Sequence, residues 1–115
     1  MIKINEIYLS VQGESTHTGL PCIFIRLTGC NLRCSWCDTA YAFHEGKNMS
    51  IDEILQKVAN FGIHLVEITG GEPLMQDNVY ILMRRLIEKG YKVMLETGGS
   101  ISLERVPKDV IKIMD

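Results

Sequence analysis

Three short apolar runs in this chain each end in residues that a plain connection does not need. Cys22-Ile23-Phe24-Ile25-Arg26-Leu27 leads into a cysteine cluster, Leu65 to Thr69 into Gly70-Gly71-Glu72, and Tyr91 to Leu95 into Glu96-Thr97-Gly98-Gly99. Between these runs the apolar spacing turns helical. Ser50-Ile51-Asp52-Glu53 has the form of a capping box, in which a hydroxyl and a carboxylate satisfy free amides at a helix start. Ile51, Ile54, Leu55 and Val58 follow at helical spacing, with Gly62 as the stop. A second helix is predicted over 77–89, with Val79, Leu82, Met83 and Leu86 on one face and Gly90 after it. Ile4 to Val11 reads as a further extended segment and Val110 to Met114 as a fourth strand. Strands alternating with helices predict right-handed βαβ units and a parallel sheet. Ligands of such folds gather at the carboxyl ends of the strands, so the three clusters point to one site on one rim.

The length of 115 residues suits one small domain, spanning 1–115, with a single core. With 46% apolar and 23% charged residues the chain has the composition of a globular protein. A net charge of -2 gives no electrostatic footprint for nucleic acid. No stretch approaches the roughly 20 apolar residues of a membrane span, and no signal peptide opens the chain, so a cytoplasmic location is expected. About four parallel strands cannot close a barrel, and no helix follows the last one to cover it. The expectation is therefore an incomplete, partial TIM-like barrel of parallel βα units with an open edge. Such a domain would belong to a longer protein or be completed by a partner.

Three of the four cysteines fall together in Cys30-Asn31-Leu32-Arg33-Cys34-Ser35-Trp36-Cys37, a C-x3-C-x2-C pattern. Thiolates hold the irons of a 4Fe–4S cube, and four are needed to fill every corner. Three at this spacing leave one iron open to a substrate or cofactor. Two other readings compete. Three cysteines with His44 or Cys22 would suit structural zinc, and Cys34 with Cys37 would suit a thioredoxin-like pair, against which the extra Cys30 counts. Cys22 itself fits a small buried hydrophobe in a strand. His17, His44 and His64 show no ligand spacing among themselves.

Thr69-Gly70-Gly71-Glu72-Pro73 follows a predicted strand and precedes a helix. Glycines let backbone approach a ligand closely, exposed carbonyls there can accept from an ammonium group, and Glu72 adds charge. Together with the cysteine pattern upstream, this loop resembles the radical S-adenosylmethionine (SAM) superfamily. The resemblance implies a 4Fe–4S cluster on Cys30, Cys34 and Cys37, with SAM chelated at the open iron and split to a 5′-deoxyadenosyl radical. It also implies that Gly70, Gly71 and Glu72 hold the SAM amino group. The cofactors then carry the chemistry and the protein positions them; no side chain abstracts the hydrogen.

A longer stretch narrows the resemblance. Glu6 to Thr16, with Gln12-Gly13-Glu14, lies ahead of the strand carrying Arg26. Gln12 and Glu14 can pair with the donors and acceptors of a heterocycle, and Arg26 can hold a carboxylate bidentately. Taken alone, Arg26 equally fits an edge-strand surface residue and Gln12-Gly13-Glu14 a plain turn. With the other motifs, the chain closely resembles the 7-carboxy-7-deazaguanine synthase family of queuosine and 7-deazapurine biosynthesis, through Asp38-Thr39, Thr69 to Pro73 and Glu96 to Ser100. That family converts 6-carboxy-5,6,7,8-tetrahydropterin to 7-carboxy-7-deazaguanine by a radical ring contraction that loses ammonia, and it requires magnesium.

Carried over by position, the resemblance makes Val11, Gln12, Gly13, Glu14, Arg26 and Thr69 pterin contacts. Trp36, Cys37, Asp38, Gly71 and Ser100 become SAM contacts, and Thr39 a magnesium ligand, a hard oxygen donor as that ion prefers. It also implies a flavodoxin- or ferredoxin-type electron donor and a homodimer. Ser15 stands where the family more commonly has Gly, and Gly98 where it usually has Asn or Ser. Two alternatives remain at this point. Activases of glycyl-radical enzymes share the cysteine and glycine motifs but not Gln12-Gly13-Glu14, and a non-enzymatic metal-binding fragment would be colourless with zinc and brown with an iron–sulfur cluster.

Overall fold

The structure is a computed structural model and describes residues 2–11, 13, 19–27, 47–70, 73–98 and 102–114. In chain order its elements are β1 (Ile2–Val11), β2 (Pro21–Leu27), β3 (Lys47–Met49), α1 (Ile51–Ala59), β4 (Leu65–Gly70), a single 3-10 turn (Pro73–Met75), α2 (Asn78–Glu88), β5 (Lys92–Thr97) and β6 (Ile111–Met114). The described strands form one sheet in the order β3-β1-β2-β4-β5-β6.

The expected parallel βα units occupy one side of this sheet: β2, β4, β5 and β6 are mutually parallel neighbours. The other side departs from the expectation. β1 runs antiparallel to β2, and β3, which the sequence did not disclose, runs antiparallel to β1. Chain length explains β1. Residues 12–20 are too few for a parallel crossover, which takes about a dozen or more, so the chain turns back on itself. β5 also runs further than expected. Glu96 and Thr97, expected in the following loop, pair with Ile113 and Met114 of β6.

Alternation along the strands gives the sheet two faces. Ile23, Ile25 and Leu27 of β2, Val66 and Ile68 of β4, and Val93 and Leu95 of β5 are buried in the main core. There they meet Ile54, Leu55 and Val58 of α1 and Val79, Tyr80, Leu82, Met83 and Leu86 of α2. Each such aliphatic side chain contributes about 1.5–3 kcal/mol when fully buried. The opposite face carries a smaller cluster of Cys22, Leu65 and Met94, with Phe24, Ile111 and Ile113 packed against it. Arg26, Glu67 and Thr69 share that face by alternation.

The capping box forms as its spacing predicts. Ser50 Oγ accepts from the Glu53 amide at 3.1 Å, and Glu53 Oε1 accepts from the Ser50 amide at 3.1 Å. Hydrogen bonding from Ser50 to the Glu53 carboxylate, its amide first and its hydroxyl second, lowers that carboxyl from its ordinary value. α2 starts differently. Asp77 precedes it in helical conformation and makes no side-chain capping bond; its carboxylate lies 3.6 Å from Arg105 instead. Just before it, Gln76 clamps the 3-10 turn to β1, its Oε1 accepting from the Lys3 amide at 2.9 Å and its Nε2 donating to the Lys3 carbonyl at 3.0 Å. Among the described residues no helix is long and apolar enough to cross a membrane.

Candidate functional site

Arg26 sits near the carboxyl end of β2, opposite Glu6 on β1 and beside Thr69 on β4. β2 therefore has a neighbour on each side, and Arg26 is not an edge-strand residue. Its guanidinium is held from the β1 side. Nη2 donates to the Tyr8 hydroxyl oxygen at 2.8 Å, and the guanidinium carbon lies 5.2 Å from the Tyr8 ring centre, within cation–π range. The Tyr8 ring is itself stacked on Phe24, with centres 5.3 Å apart and planes 11° from parallel. The Glu6 carboxylate is 3.9 Å from Nη1, which is an ion-pair distance but too long for a hydrogen bond. The arginine side chain stays 38% exposed, and among the described residues only Tyr8 accepts a hydrogen bond from its five N–H donors.

The carboxyl ends of β2 and β4 touch through their backbones. Gly70 has φ +136°, and a β-carbon built on it would stand 2.5 Å from the Leu27 carbonyl oxygen and 2.7 Å from its nitrogen. Only glycine tolerates both that φ and that approach. The two strands consequently end flush, three residues before Cys30 in the sequence on one side and at Gly71 on the other. β5, parallel to β4 and next to it, ends at Thr97. Thus the cysteines, Gly71-Glu72 and Gly98-Gly99 each follow, in the sequence, one of three adjacent parallel strands, while Glu96 and Thr97 lie within β5 itself.

The structure brings Arg26, Thr69 and Gly70 together, since Arg26 pairs with Thr69 and Leu27 with Gly70. It does not bring Val11 to them. Val11 pairs with Pro21, at the amino end of β2, roughly 16 Å from Arg26 at about 3.3 Å per residue. Among the described residues nothing comes within 4 Å of a β-carbon built on Gly13. Gln12, Glu14, Cys30, Cys34, Trp36, Cys37, Asp38, Thr39, Gly71, Glu72 and Ser100 lie outside the described residues, as does His44.

Two residues on the site-bearing face went unnoticed in the sequence. Tyr8 is one. The other is Glu67, 2% exposed, in register between Phe24 and Met94. A carboxylate inside the apolar run Leu65-Val66-Glu67-Ile68 was the available signal, because strands buried on both faces are expected to be apolar throughout. Cys22, expected as a small buried hydrophobe, is fully buried and unpaired. Burial, and then the charge of Glu67, push its thiol up to about 12. It stays protonated at neutral pH, and its side chain is sealed in the apolar cluster with Leu65 and Met94. Among the described residues no three of His, Cys, Asp and Glu are grouped to hold a metal.

Comparison with known proteins agrees with this arrangement. The pattern of the radical SAM superfamily matches residues 24–114, and the chain belongs to that superfamily. Over 99% of its length it is 57% identical to a 7-carboxy-7-deazaguanine synthase of Koribacter versatilis, 51% of which is covered. It is 46% identical to the enzyme of that name from Chlorobaculum tepidum, covering 52% of it. The crystal structure of QueE from Escherichia coli superposes with a TM-score of 0.84 at 29% identity, over 99% of this chain and 59% of that one. The chain thus spans about half the length of the curated relatives it matches.

Superfamily membership implies a 4Fe–4S cluster and SAM. The residues of this chain fit both. Cys30, Cys34 and Cys37 supply three thiolates at cluster spacing. The close approach at Gly70 brings the strand that leads to them against the strand that leads to Gly71 and Glu72.

Proposed function

We propose that this protein acts as a 7-carboxy-7-deazaguanine synthase, contracting the ring of 6-carboxy-5,6,7,8-tetrahydropterin with loss of ammonia. The observation that carries the proposal is the placement of Arg26. It is a part-exposed guanidinium on the rim, beside Thr69, and among the described residues it donates one hydrogen bond, to Tyr8, so the others can serve a carboxylate. The relatives at 57% and 46% identity are named for the product, 7-carboxy-7-deazaguanine, and the pterin is the substrate that the family resemblance implies.

In this reading Cys30, Cys34 and Cys37 would hold the cluster, and Trp36, Asp38, Gly70, Gly71, Glu72 and Ser100 would bind SAM. When bound, the cluster and SAM supply a radical that removes a substrate hydrogen. The chain's own residues do the orienting. Arg26 would fix the substrate carboxylate through parallel N–H bonds, and Thr69, its neighbour across the ladder, would offer a hydroxyl to the pterin. Gln12, Gly13 and Glu14 would read the heterocycle edge, with Val11 placed to contribute only through that segment. Thr39 would complete a magnesium site with the substrate carboxylate, hard oxygens on a hard cation. A flavodoxin- or ferredoxin-type protein would deliver the electron, a homodimer would be the working form, and the cytoplasm would be its compartment.

Arg26→Ala tests the assignment. Pterin binding to the reconstituted protein should weaken by roughly 1.5–3 kcal/mol, the worth of a charged hydrogen bond. Unchanged pterin affinity in that variant would remove Arg26 from the substrate site.

A further inference from the structure

We infer that Tyr8 is a positioning residue for substrate recognition, which it serves by fixing the plane of the Arg26 guanidinium; this rests on the reading of Arg26 as the carboxylate-binding group. Three observations carry it. Arg26 Nη2 donates to the Tyr8 hydroxyl oxygen at 2.8 Å, the shortest side-chain bond described for either residue. The Tyr8 ring cannot swing away easily, because it is stacked on Phe24 at 5.3 Å and 11°. Across the β1–β2 pair, Tyr8 faces Phe24 and Glu6 faces Arg26, so the phenol reaches the guanidinium along the diagonal.

The chemistry follows from the donor geometry of arginine. A guanidinium grips a carboxylate with two parallel N–H bonds only when its plane is aligned with the carboxylate. A long, part-exposed side chain otherwise samples many rotamers, and ordering them at binding costs affinity. Tyr8 removes that freedom in advance by occupying one N–H of Nη2. Glu6 cannot do the same work, since at 3.9 Å it makes no hydrogen bond to Nη1 and is itself 55% exposed. A phenylalanine at position 8 would keep the stack on Phe24 and lose only the hydroxyl.

The test is a double-mutant cycle on the reconstituted holoprotein with Tyr8→Phe, Arg26→Ala and the pair, using 6-carboxytetrahydropterin as probe. Thermal midpoint and iron content serve as folding controls. Tyr8→Phe should raise the KM for pterin about three- to tenfold, the usual cost of ordering one long side chain at binding, with a smaller effect on kcat. In the Arg26→Ala background the same change should have no further effect, since Tyr8 acts through Arg26. If Arg26→Ala leaves KM unchanged, the underlying substrate reading fails. If Arg26→Ala raises KM and Tyr8→Phe does not, or if the two effects simply add, Arg26 keeps its role and the positioning role of Tyr8 is overturned.

Discussion

The Leu27 carbonyl oxygen occupies space that a β-carbon on Gly70 would need, 2.5 Å from where that carbon would stand. This one backbone contact aligns the ends of β2 and β4. In the sequence, the cysteines follow one of these ends and Gly71-Glu72 the other. Gly70→Ala adds the clash to a φ of +136°, which L side chains rarely adopt. A strained φ together with an overpacked contact should cost at least about 2 kcal/mol. A denaturant titration measures it, and the iron bound per chain after reconstitution should fall in parallel. Unchanged stability would mean that the two strand ends move apart freely.

Cys22 should make the protein sensitive to alkali. Its folded thiol is raised from the ordinary 9.0 to about 12, so between those values the folded chain keeps a proton that the unfolded chain has lost. The stabilisation is complete below pH 9.0 and disappears as pH rises through about 12. Cys22→Ala should flatten that part of the stability profile relative to the parent. In the native protein Cys22 should also escape iodoacetamide at neutral pH and react only after denaturation; prompt native labelling would contradict its full burial.

Ser50→Ala should destabilise the fold by about 1 kcal/mol, the usual loss for an N-cap hydroxyl. That loss should depend little on pH, because the capping hydroxyl accepts from the Glu53 amide; the pH-dependent part belongs to the Glu53 carboxylate, which accepts from the Ser50 amide. Glu53 titrates below its ordinary value because it accepts from Ser50. Its contribution is therefore present above the ordinary 4.5 and fades as pH falls through the lowered value. Acid unfolding curves of the parent and of Glu53→Gln should converge at low pH, where the parent's carboxyl is protonated as well.

Gln76→Ala should loosen the start of β1. Both bonds to Lys3 disappear together, at 2.9 and 3.0 Å, and the exposed setting limits the loss to about 1–2 kcal/mol. Amide exchange at Lys3 should quicken, while exchange in β4 and β5 should not.

Much of this was legible because it depends on local pattern. The helix from Ile51, the strands through Ile23–Leu27 and Leu65–Thr69, and the rim carrying Thr69 and Gly70 follow from periodicity, capping and glycine placement, whereas Arg26 entered as a site residue only through the family resemblance. What escaped depends on pairing between distant segments. β3 is three residues of Lys47–Met49 with no apolar alternation, and only Ile2, Lys3 and Ile4 make it a strand. Glu96 and Thr97 look like loop residues until β6 pairs with them. Tyr8 reads as one more aromatic in a strand, because nothing local says that Arg26 lies diagonally across from it. The antiparallel turn of β1 was within reach, since the stretch 12–20 is too short for a crossover.

The decisive measurement is anaerobic reconstitution of the protein with iron and sulfide, followed by SAM, magnesium, a reductant and 6-carboxytetrahydropterin, with products followed by mass. A brown protein that forms 7-carboxy-7-deazaguanine is the expected result. A brown protein that cleaves SAM and leaves the pterin intact would contradict the proposed substrate. A colourless protein would contradict the cluster on Cys30, Cys34 and Cys37.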